Sequence, residues 1–175
     1  GYKAPEFQLD DHAAYVMAIK KVKEKQKDLI RRKQAVVCPT EWLVGDSKRE
    51  GAKAINRLIR LTLRAFNNEC DLVIKNLTWK NAERTKDKIW RLAEILDDLN
   101  ESMHVSITDQ YISMKIEEVE LSNEEKLKKE EEKERLKAQR ELEREEAKAQ
   151  REYLAEVRRQ EKLEKDKQIA LKAAR

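Results

Sequence analysis

The sequence has few of the residues that break helices or staple small folds: three glycines, two prolines and two cysteines in 175 residues. Cys38 and Cys70 lie far apart with no C-x-x-C spacing, so neither a disulfide framework nor a four-ligand zinc site is encoded, and reduced thiols are expected. Three glycines leave no phosphate-cradling loop, and no G-x-G-x-x-G, Walker A or G-x-S-x-G pattern occurs. The only histidines, His12 and His104, belong to no H-E-x-x-H array. No apolar run approaches the roughly 20 residues that cross a bilayer, and there is no signal-peptide pattern, so no direct membrane insertion is expected. The carboxylates crowd into charge runs where nothing desolvates them into acid–base catalysts. Together these absences predict a segment that is not an enzyme by itself and needs no cofactor.

Charge is abundant, at 42% of residues. Residues 1–100 carry 21 Lys plus Arg against 15 Asp plus Glu, a net of +6, while residues 101–175 carry 18 against 20, a net of −2. Any attraction to phosphates therefore belongs to the first part. A chain that begins at Gly1 and stops inside a helical pattern reads as an excised piece of a larger protein.

Helical periodicity organises most of the chain. A first helix, from about residue 10 to 32, places Tyr15, Val16, Ile19, Val22, Leu29 and Ile30 on one face, with Asp10 or Asp11 as N-cap. Residues 35–38 and 41–44 are two β-prone runs that can pair as a small hairpin around Pro39. Ser47 and Glu50 then form a capping-box pattern that opens a second helix running to about Lys75. A third is expected over roughly residues 81–99, burying some combination of Ala82, Ile89, Trp90, Ala93, Leu96 and Leu99. Ser106 or Thr108 caps the last and longest helix, whose first turns (Tyr111, Ile112, Ile116, Val119) are apolar enough to dock. From residue 122 to 152 only Leu127, Leu136 and Leu142 are large and apolar, and their spacing makes no a/d seam. Pairs such as Glu124 with Lys128, Glu125 with Lys129 and Glu131 with Arg135, worth roughly 0.2–0.5 kcal/mol each, are expected to hold that stretch helical. The expected fold class is all-α: a helical head over residues 1–121, with the hairpin, followed by a charged helix or coiled-coil stalk over residues 122–175.

The second helix carries the main candidate site. At 100° per residue Arg49, Lys53, Arg57, Arg60 and Arg64 share one face opposite Ile55, Leu58, Ile59, Thr62 and Phe66. Such a ridge can track phosphates, or it can simply be the solvated side of a half-buried helix. No Gln or aromatic is interleaved to read bases. The three tryptophans, Trp42, Trp79 and Trp90, are expected in the core, as is Cys70. Glu69 falls on or beside the apolar stripe, where a carboxylate needs a partner; it is expected as an anchor to a donor, with a pocket-lining role as the alternative.

"CPTEWLVGDSKREG" and "LTLRAFNNECD" resemble a bacterial domain family of unknown function that precedes GIY-YIG endonuclease domains, joined to them by a charged coiled-coil segment. The resemblance spans about residues 2–120, with Ala54 standing where the family has a larger apolar residue. It implies a role in defence against bacteriophage, in which this domain recognises or positions and a nuclease domain elsewhere cuts incoming DNA. No GIY or YIG tripeptide occurs in this chain, so the divalent metal of cleavage would belong to that other domain. The implied partners are a phage or host protein, or DNA through the basic helix face, in the bacterial cytoplasm or at its inner-membrane face. The competing reading is a homodimerising coiled-coil module that touches neither phage nor DNA.

Overall fold

Asp11 opens the first helix, α1 (His12–Arg31), by accepting a hydrogen bond from the Ala14 amide at 2.8 Å, which satisfies one of the amides that a helix start leaves free. The computed structural model describes residues 5–175. After α1 come β1 (Val36–Val37), α2 (Lys48–Lys75), α3 (Ala82–Leu99), a 3₁₀ turn (Glu101–Met103), β2 (Ser106–Ile107) and α4 (Asp109–Ala173). The fold is all-α apart from the two short strands. The chain divides into two units, residues 1–129 and 130–175.

In the first unit the helices bury one stripe each. α2 contributes Ile55, Phe66 and Cys70, α3 contributes Ala82, Ile89 and Ala93, and the first turns of α4 contribute Tyr111, Ile112 and Val119. The Phe66 and Tyr111 rings meet at 5.9 Å, tilted by 51°. A second cluster joins Tyr15 and Val22 of α1 to Leu121. Several polar groups taken into this interior are paired, whereas the buried Asn123 Oδ1 has no hydrogen-bond partner among the described residues. Gln26 donates to Glu118 at 3.0 Å and to the Met114 carbonyl at 3.2 Å, while Lys115 lies 3.9 Å from the same Glu118 carboxylate. Asn100 donates to Thr62, whose hydroxyl donates to the Leu58 carbonyl.

The two strands pair antiparallel, Val36 with Ile107 and Val37 with Ser106. This corrects the expected hairpin between residues 35–38 and 41–44. Cys38 Sγ and Trp42 Nε1 both donate to the Met103 carbonyl, holding residues 38–42 against the turn after α3, so β1 takes its partner from the segment after that turn. Thr108, not Ser106, caps α4: its hydroxyl accepts from the Tyr111 amide at 3.2 Å and donates to the Gln34 carbonyl at 2.7 Å.

Two acidic side chains make contacts their spacing does not signal, and one further expectation changes. Glu124 and Glu125 face the start of the chain: Glu124 accepts from the amides of Phe7 (3.1 Å) and Gln8 (3.3 Å) and from the Tyr15 hydroxyl, and Glu125 meets His12 at 2.5 Å. Trp79 and Trp90 are exposed rather than core: Trp79 lies in the turn before α3, and α3 buries Ala82, Thr85, Ile89 and Ala93, a stripe that Trp90 and Leu99 fall beside. In the second unit the helix continues to Ala173, and the side chains of residues 133–175 are exposed except for a half-buried Val157.

Candidate functional site

The segment that connects β1 to α2 is built for close approach. Val44 and Ser47 exchange backbone hydrogen bonds at 3.2 and 3.1 Å around a tight turn in which Gly45 adopts φ +60°, a conformation open to glycine at no steric cost. Ser47 accepts from the Glu50 amide at 3.1 Å and so starts α2. The reciprocal half of the capping box is replaced: the Ser47 amide goes to Val44, and the Glu50 carboxylate sits 3.5 Å from Lys53. Gly51, in the first turn of α2, lies against the preceding loop so closely that a Cβ there would stand 1.8 Å from the Trp42 carbonyl oxygen. Trp42 is fixed in turn by its indole bond to Met103 at 3.0 Å and by the His104 ring, 5.3 Å away. His104 also meets the Thr40 hydroxyl at 2.7 Å.

This arrangement leaves a cleft of about 830 Å³ between the end of α1, β1 and the first half of α2. Its apolar lining includes Ile30, Val36, Val37, Ile55, Ile59 and Leu63. Four exposed cations, Lys33, Lys48, Arg49 and Arg60, also line it, against one acid, Glu41. Glu41 already lies 3.4 Å from Lys48.

All five residues of the predicted ridge are exposed on α2, but they divide. Arg49 and Arg60 line the cleft together with Trp42; Lys53, Arg57 and Arg64 do not. Lys53 pairs with Glu50, while Arg49, Arg57, Arg60 and Arg64 form no ion pair among the described residues. Cys70 is fully buried, and burial pushes its thiol up to about 12, which leaves it inert as a nucleophile at neutral pH. Glu69 is corrected: it is exposed, because the buried stripe of α2 runs Thr62, Phe66, Cys70, one residue to its side. The buried carboxylates are Glu118 and Glu124. Lys33 and Lys48 escaped the sequence reading because they belong to a helix end and a loop junction, not to the α2 periodicity; Pro39, Gly45 and Gly51, close together in the chain, are the local signal of this corner.

Among the described residues no group of three or more His, Cys, Asp or Glu side chains is placed to hold a metal ion. No helix among them is long and apolar enough to cross a membrane. The arrangement offers an apolar depression beside cations, with the Thr40 hydroxyl and the His104 ring in contact at its edge, a setting suited to binding. A family model described as the SNIPE associated domain matches residues 12–130. No curated protein and no solved structure matches the chain.

Proposed function

We propose, from the premise that the chain belongs to the SNIPE associated domain family, that it is the non-catalytic recognition and positioning module of a bacterial antiphage nuclease of the GIY-YIG type. The observation that carries this reading is the α2 face, where Arg49, Arg57, Arg60 and Arg64 stand exposed without an acidic partner among the described residues. A face that served only solubility would be expected to interleave both signs of charge, as α4 does. Its partner is a phage or host protein, or incoming DNA, in the bacterial cytoplasm or at the inner-membrane face. Cleavage, and the divalent metal it needs, belongs to a separate nuclease domain.

The reading predicts that this chain, mixed with duplex DNA and magnesium, leaves the DNA uncut; cleavage would contradict it. A gel shift at two salt concentrations then separates the partners, since contact with DNA phosphates weakens steeply with salt and a protein-directed face gives no shift. Exposed Leu136, Leu142, Leu154 and Leu163 favour a second reading, in which two copies pair through residues 130–173 and raise the local concentration of two nuclease domains. Sedimentation tests it, because a strict monomer at high concentration excludes that pairing.

A further inference from the structure

We propose that the cleft between α1, β1 and α2 takes the aliphatic side chains of an acidic segment of a protein partner. The proposal rests on the recognition reading above and gives it a site. Its lining is aliphatic where a nucleic-acid site would offer stacking platforms: Trp42 is the single aromatic residue on it, and that ring already packs on His104 at 5.3 Å. The cleft's 830 Å³ lies in the range of sites that receive several buried groups at once.

Charge selects the occupant. Lys33, Arg49 and Arg60 line the cleft with no ion pair among the described residues, and the one acid there, Glu41, is shared with Lys48. An apolar segment flanked by Asp or Glu complements both features, its side chains filling the floor and its carboxylates meeting the guanidinium forks of Arg49 and Arg60.

Lys33 supplies an independent observation. It sits just past the end of α1 at φ +58°, with the Gln34 amide returning to the Leu29 carbonyl at 2.8 Å, the closing geometry that glycine usually occupies. A lysine there costs stability that glycine would not, and its side chain lines the cleft.

The test is selection of a displayed library of random short peptides on the intact chain, followed by affinity measurement for the enriched peptides. Enrichment of sequences combining Asp or Glu with Leu, Ile or Val is expected. Arg49→Glu and Lys33→Gly should each weaken those peptides roughly tenfold, the equivalent of one charge-assisted contact. Ala52→Trp, at an exposed position lining the cleft, should block them with no change in charge. Lys33→Gly is expected to fold at least as well as the parent, so its loss of binding cannot be ascribed to unfolding. No enrichment, enrichment indifferent to all three changes, or cleft-dependent binding of a labelled single-stranded DNA in place of peptide would each overturn the proposal. Peptide selection that fails while Arg57→Glu and Arg64→Glu still impair the nuclease would remove the cleft and leave the module reading standing.

Discussion

A methyl group on residue 51 would fall 1.8 Å from the Trp42 carbonyl oxygen, and a backbone atom cannot swing aside as a side-chain tip can. Gly51→Ala is therefore expected to lower stability by about 1–3 kcal/mol, read as a shift of the denaturant midpoint. Gly45→Ala meets open space and bears only the cost of its positive φ, about 1–2 kcal/mol. Asp97 offers a pH-dependent test. Burial raises its carboxyl above the ordinary aspartate range, opposed by a hydrogen bond from the Ile107 amide at 2.8 Å. A carboxyl raised in the folded state contributes stability that is complete below its unfolded pKa and lost as pH rises through the folded value. Asp97→Asn, which keeps an oxygen for Ile107, should therefore gain stability relative to the parent as pH rises through the aspartate range and then level off. Asp97→Ala should cost about 1–3 kcal/mol because it strands that amide. The sequence marks residue 51 as a glycine where a helix disfavours one. The carbonyl that requires it lies across a loop and has no local signature.

At the scale of elements, helix starts were legible because their causes are local. Asp11 and Ser47 cap the helices whose apolar periodicity begins beside them. Ser47→Ala is expected to cost about 1 kcal/mol in a thermal or denaturant melt. The β1–β2 pairing was not legible, since Val36 pairs with Ile107 across a stretch of chain that holds all of α2 and α3. Glu124 has contacts missed for the same kind of reason: its sequence spacing to Lys128 suggests an intrahelical pair, and nothing local signals that the amides of Phe7 and Gln8 reach it. Glu124→Ala should speed hydrogen exchange at those two amides while leaving Phe66 and Ile89 as protected as in the parent. Unchanged exchange at both would contradict the anchor. The candidate site was legible by half: α2 periodicity places Arg49 and Arg60 on one face, whereas Lys33 joins them only through the turn that ends α1.

At the scale of the whole molecule, the two units are stabilised by different means. Residues 12–130 match a known domain family, and the first unit holds the buried clusters. The helix over residues 130–173 rests on propensity and on pairs such as Arg159 with Glu156 at 3.1 Å. Circular dichroism should accordingly show a gradual loss of helix on warming, from the second unit, beneath a cooperative transition from the first. The functional account depends on the first unit recognising a partner through α2 without cutting DNA itself. Its most direct test is the efficiency of plating of phage on cells producing the full-length protein proposed to be a nuclease, with Arg57, Arg60 and Arg64 all changed to Glu. The account predicts lost protection with an unaltered melting transition of the purified module, whereas full protection by a folded triple variant would contradict it.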